Sequence, residues 1–123
     1  MRKKLDSTFV ELAAKLQNNG VSLLAGSDCG AFNSYIYPGV SLHKELKALV
    51  DAGLTPLEAL QTSALNGSRF LEKEKPAISV GKLADLVLLS GNPLKDITQT
   101  ENIAWVIKNG KAYNADALKA MLK

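Results

Sequence analysis

One cysteine and one histidine, Cys29 and His43, stand among the 123 residues. A single cysteine excludes an internal disulfide, and a single histidine excludes a histidine-rich metal cage built from this chain. Long apolar runs are missing too. Stretches such as Leu86-Val87-Leu88-Leu89 fall far short of the roughly 20 residues that cross a bilayer, so no membrane span is expected. Nor is there a basic run long enough to track a phosphate backbone. The 15 Lys+Arg against 12 Asp+Glu leave a net charge of +3, spread from Lys3 to Lys123, which sets nucleic acid and membrane surfaces aside as partners. After the basic start Met1-Arg2-Lys3-Lys4, the charges of Asp6, Glu11 and Lys15 interrupt what would have to be the apolar region of a signal peptide. A cytoplasmic location is expected.

What is present is ordinarily globular, with 46% hydrophobic and 22% charged residues in the length of one modest domain. Phe9, Leu12, Ala13 and Leu16 recur at helical spacing, and Asn18-Asn19-Gly20 supplies a left-handed stop. Residues 21–25, Val-Ser-Leu-Leu-Ala, then form a short apolar run bounded by glycines, which predicts a strand buried on both faces. Helix, tight turn and buried strand are the grammar of an α/β fold.

Residues 26–39 carry three glycines, Asn33, Ser34, Pro38 and two tyrosines without helical or strand period, and read as a loop at the strand's C-terminal end. Ser41 is expected to cap a helix with Leu42, Leu46, Leu49 and Val50 on one face. Thr55-Pro56-Leu57-Glu58 is a capping box with proline at the first helical position, the strongest local signal in the chain. Asn66 is expected to cap one further turn.

Beyond Pro76 the texture changes. Residues 86–89 and 103–107 read as strands, and Asn109-Gly110 as a type I′ hairpin turn leading into a short third strand at Ala112-Tyr113. A small helix closes the chain over 115–122. The division is therefore an α/β portion, 1–76, followed by a small antiparallel β portion, 77–123.

Asp28 follows the predicted buried strand directly, where strand ends of α/β folds gather ligands and catalytic groups. An Asx-turn at a loop start is the other reading of the same residue. Cys29 lacks a positioned base, since the only histidine lies on a later helix, and is expected to pack as a small buried residue. His43 lies beside the apolar face of its helix, where packing or capping is the simplest role. Asp85, Glu45 and Glu58 show no paired-carboxylate spacing and are read as structural. Tyr35 and Tyr37, in the loop after Asp28, are suited either to contact a small ligand or to pin the loop by ring packing.

Five blocks taken in order carry a resemblance: Gly20-Val21-Ser22-Leu23-Leu24-Ala25-Gly26-Ser27-Asp28, Pro38-Gly39-Val40-Ser41-Leu42-His43-Lys44-Glu45-Leu46, Ala52-Gly53-Leu54-Thr55-Pro56-Leu57-Glu58-Ala59-Leu60, Ser79-Val80-Gly81-Lys82-Leu83-Ala84-Asp85-Leu86-Val87-Leu88-Leu89, and Gly91-Asn92-Pro93-Leu94 with Val106-Ile107-Lys108-Asn109-Gly110-Lys111. Together they resemble the C-terminal part of a metal-dependent amidohydrolase, of the imidazolonepropionase-like and Xaa-Pro-dipeptidase-like branch.

The resemblance implies the end of a (β/α)8 barrel plus the C-terminal strands of a small composite β-sandwich. Residues 5–19 then correspond to a late barrel helix, 21–25 to the eighth strand and the strands after Pro76 to the sandwich. Asp28 matches the family's aspartate that helps hold the metal and takes the proton of the attacking water. The implied cofactor is a divalent metal, zinc by its suitability for hydrolysis, and the implied substrate a small-molecule amide or cyclic amide.

A whole barrel needs about 250 residues and eight strands, and the family's paired histidines, its bridging lysine or carboxylate and its two later histidines have no counterpart here. His43 matches none of those positions. Met1 stands at a helix start with no strand before it, as an internal start would leave it. The expectation is a C-terminal piece of a longer hydrolase that holds no metal tightly and is inactive alone. Two other accounts remain open: an interaction module docking on a partner that carries the missing N-terminal part, and self-association into a homo-oligomer that covers the exposed strand edges.

Overall fold

Helix α1 (Arg2–Asn18) ends where its asparagine and glycine stop it. Gly20 takes a φ of 78°, and its N–H donates to the Gln17 carbonyl at 3.0 Å while the Val21 N–H donates to that of Leu16, also at 3.0 Å. This is a Schellman motif, which satisfies carbonyls the helix leaves without partners. In this computed structural model residues 2–30, 36–74 and 76–121 are described, with side chains from residue 10 on. They fall into two compact units, Met1–Lys75 and Pro76–Lys123.

In the first unit α1 is followed by α2 (Val40–Asp51), α3 (Pro56–Ser63) and α4 (Leu65–Phe70). The end of α2 repeats the device of α1. Gly53, with φ 104°, donates to Val50 at 2.9 Å and Leu54 to Leu49 at 3.1 Å. A Cβ on Gly53 would stand 3.2 Å from the Cβ of Ala14, so the middle of α1 lies against this turn. The turn delivers Leu54 to the interior, where it joins Leu46 of α2 and Ala59 of α3 as the buried apolar residues of the unit. Burying each leucine contributes about 1.5–3 kcal/mol. Thr62, one turn after Ala59, is also buried, and its hydroxyl donates to the Ala59 carbonyl at 2.6 Å, so no polar atom is stranded.

The capping box of α3 is formed as predicted. The Thr55 hydroxyl accepts from the Glu58 N–H at 3.2 Å, and the Thr55 N–H donates to the Glu58 carboxylate at 2.7 Å. At the end of α4 the left-handed position is held by Glu72, φ 52°, with Lys73 N–H donating to Ser68 at 2.8 Å.

Four local expectations are corrected. Residues 21–25 form no strand ladder among the described residues, because a strand exists only through a hydrogen-bonded neighbour, and none of the described residues supplies one. Ser41 is not the cap of α2: Gly39 takes that position with φ 82° and no side-chain cap bond. Asn66 does not cap α4 either, since Ala64 precedes the helix and the Asn66 amide is used on Leu23 instead. Cys29 is exposed rather than buried, because it lies past the point where the segment is anchored.

The second unit is a three-stranded antiparallel sheet of order β1-β2-β3, with β1 (Leu86–Leu89), β2 (Ile103–Lys108) and β3 (Lys111–Asn114). Leu86 pairs with Ile107 and Leu88 with Trp105, but Leu89 pairs with Ile103, so a bulge falls between Leu88 and Leu89. The β2–β3 turn has φ 51° at Asn109 and 77° at Gly110, the two positive values that a type I′ turn demands. Asp85 fastens it: its carboxylate accepts from the Asn109 N–H at 2.7 Å and pairs with the Lys108 ammonium.

Sequence reading missed a 3-10 helix, Ile97–Glu101, started by the Asp96 carboxylate accepting from the Thr98 N–H at 3.0 Å. It buries Ile97 and Thr100. The closing helix α5 (Ala115–Ala120) is capped by Asn114, whose side-chain carbonyl accepts from Ala117 at 2.9 Å. Val87, Leu88 and Trp105 stay exposed, and the outer edge of β1 has no strand partner among the described residues. No helix is long and apolar enough to cross a membrane among the residues described.

Candidate functional site

Two hydrogen bonds tie residues 21–25 to the helices behind them. The Asn66 side-chain amide donates to the Leu23 carbonyl at 2.9 Å, and the Ala25 N–H donates to the Thr62 carbonyl at 3.4 Å. Among the described residues no such tie follows Ala25, and Asp28 sits three residues on, exposed. Its φ of 49° lies in the left-handed region, which aspartate tolerates better than most side chains but still at a cost of order 1 kcal/mol. Residues held there cluster at functional sites. The Asx-turn bond that would assign Asp28 a purely local role is not formed among the described residues.

Of the two loop tyrosines, Tyr35 lies outside the described residues. Tyr37 is 62% exposed, and its backbone is gripped from both sides by one residue. The Tyr37 N–H donates to the Ser41 hydroxyl at 3.0 Å, and the Ser41 N–H donates to the Tyr37 carbonyl at 3.0 Å. The ring is thus displayed from a fixed backbone, not folded down onto the unit. Ser41, expected as the helix cap, grips Tyr37 instead. A serine at the second position of a helix after Pro-Gly was the available signal, and it reads equally as a cap.

His43 is half-buried on α2. Glu58 and Asp85 serve the capping box and the hairpin, and both carboxyls are held below their ordinary values. For Glu58 the causes are the Thr55 hydroxyl and then the Thr55 N–H; for Asp85 they are the Asn109 N–H and then Lys108. A metal site needs more than this arrangement offers. Among the described residues, no group of three or more His, Cys, Asp or Glu side chains is placed to hold a metal ion, whereas zinc takes three or four protein donors. Asp28 is one oxygen donor, and the described residues do not by themselves fit a metal.

The described residues form an α/β chain in which an exposed aspartate follows an anchored segment and a three-stranded antiparallel sheet comes near the end. Residues 3–113 match the amidohydrolase family, and the chain belongs to that family. Among solved structures it is similar to a Xaa-Pro dipeptidase with bound methionine in the active site, at 30% identity and a TM-score of 0.73 over 86% of this chain and 25% of that one. Molinate hydrolase is similar at 25% identity and a TM-score of 0.74, covering 90% of this chain and 27% of that one. Phenylurea hydrolase B shows 25% identity and a TM-score of 0.70, with 88% and 27% covered. The chain thus spans about a quarter of the length of these structures. No curated protein matches it.

Proposed function

We propose that the chain is the C-terminal part of a hydrolase of C–N bonds, amide or cyclic amide, that ends a (β/α)8 barrel and contributes strands to a composite β-sandwich. The observation that carries this reading is the family match over residues 3–113, with Asp28 standing just past the one segment that the helices anchor. In the proposal Asp28 accepts the proton of the attacking water and returns it to the leaving nitrogen, the work of a general base. It is also one ligand of a divalent metal, zinc by donor chemistry. Because a lone carboxylate does not hold such an ion, the 123 residues alone hydrolyse nothing. Tyr37 lines the substrate loop, and the substrate is a small amide.

The test has two parts. Purified alone, the chain is expected to hold far less than one zinc per molecule and to leave Xaa-Pro dipeptides intact; stoichiometric metal or turnover overturns the reading. In a polypeptide that carries the chain together with a complete barrel, Asp28→Asn is expected to lower kcat by about 10²–10⁴-fold with the circular dichroism unchanged. Full activity in that variant removes Asp28 from the site.

A second reading is favoured by the exposed Val87, Leu88 and Trp105 and the open edge of β1. Here the chain is a non-catalytic module that pairs its sheet with a partner or with a second copy. Solution mass distinguishes them: a concentration-dependent dimer supports self-association, and a monomer at all concentrations removes it.

A further inference from the structure

The first unit has a groove of about 290 Å³ at the end of α1 that is separate from the Asp28 loop. Gln17, Ser22, Gln61, Asn66 and Arg69 line it, and no acidic residue does. Elsewhere in the unit Lys15 pairs with Glu11, Lys47 with Asp51 and Thr55 with Glu58. Among the described residues the side chains of Gln17, Ser22, Gln61 and Arg69 make no hydrogen bond or ion pair, although Gln17 and Gln61 are half-buried. Only Asn66 is engaged, through its donation to Leu23. Of the carbonyls at the end of α1, those of Leu16 and Gln17 accept from Val21 and Gly20, and that of Lys15 accepts from Asn19.

From this convergence of one guanidinium and three neutral polar side chains without partners, in a groove with no negative side chain, we infer that the site binds a small oxyanion, a carboxylate or a phosphate group. A guanidinium offers two parallel N–H groups that match either oxyanion, and the amides and hydroxyl supply further donors without adding charge. The volume lies at the small end of ligand sites, which suits a single group rather than an extended ligand. Asp28 does not line the groove, so the inference does not depend on the role given to Asp28.

The probes are inorganic phosphate and acetate, titrated separately into the labelled 123-residue chain at constant ionic strength against chloride and followed by amide and Arg69 Nε–H chemical shifts. Saturable shifts at Gly20, Val21, Ser22 and Arg69 are expected with at least one probe, and which probe saturates tells a phosphate ligand from a carboxylate. Arg69→Gln, a substitution at an exposed position, is expected to weaken binding about tenfold or more with unchanged circular dichroism, and Arg69→Lys to restore only part of it. No saturable shift with either probe overturns the inference. So do shifts that Arg69→Gln leaves unaltered, or shifts scattered over the lysines in place of the groove.

Discussion

The side-chain amide of Asn66 reaches across 43 residues of sequence to the carbonyl of Leu23, at 2.9 Å. With the Val21 to Leu16 and Ala25 to Thr62 bonds it holds residues 21–25, which have no strand neighbour among the described residues to do so. Asn66→Ala removes the donor and leaves a partly buried carbonyl without its partner. The loss is expected to be about 1–2 kcal/mol in chemical denaturation. Faster exchange at the Ala25 amide is the local signature, and unchanged exchange there would show that the segment is held some other way.

Thr55→Ala removes the hydroxyl half of the α3 capping box, the backbone N–H at position 55 still donating to Glu58, and is expected to destabilise the first unit by about 1 kcal/mol, with Thr55→Ser nearly silent. The Glu58 carboxyl, which the Thr55 hydroxyl and N–H hold below its ordinary 4.5, should rise toward that value in the alanine variant. Carboxyl-carbon NMR titration of the two proteins reads the shift directly.

Asp85 titrates below its ordinary 3.8 because the Asn109 N–H and Lys108 favour its charged form. A depressed folded-state value means the stabilisation is complete above the unfolded value and disappears as pH falls through the folded one. The β2–β3 turn is therefore expected to loosen only below about pH 4, seen as rising exchange at Asn109. In Asp85→Asn the acid-induced change should vanish, because the charge is gone at every pH.

Two left-handed positions should respond in opposite directions. Glu72 carries a side chain at φ 52°, so Glu72→Gly relieves strain and is expected to stabilise by about 0.5–1 kcal/mol. Gly53→Ala places a Cβ at φ 104° and 3.2 Å from Ala14, and is expected to cost about 1–3 kcal/mol. Thermal unfolding of the pair against the parent chain gives both signs in one experiment.

What the sequence made legible was what local chemistry decides. Thr55-Pro56-Leu57-Glu58 named its own capping box, Asn109-Gly110 its own turn, and Asn18-Asn19-Gly20 its helix stop, because each signal is complete within a few residues. Residues whose roles depend on distant partners were not legible. Asn66 looks like a cap until Leu23 is seen above it, Ser41 until Tyr37 folds back to it, and residues 21–25 like a strand until a neighbour is sought. At the site, the position of Asp28 after an apolar run was visible, but its left-handed backbone was not, since aspartate reads as ordinary loop there. The groove at Arg69 was invisible for a simpler reason: its side chains come from two stretches of chain some 40 residues apart, 17–22 and 61–69.

The sheet of the second unit also sets an order of events. β2 and β3 are joined through Asn109 and Gly110 alone, whereas β1 meets β2 only after residues 90–102 close on themselves. Loop-closure entropy grows with the length enclosed, and a two-residue hairpin forms on a timescale of roughly microseconds. The hairpin therefore zips first and presents an edge on which β1 condenses, with the Asp85 clasp the last fastening to engage. Pulse-labelled exchange should find Tyr113 protected before Leu88, and the reverse order would place the folding nucleus on the long loop instead.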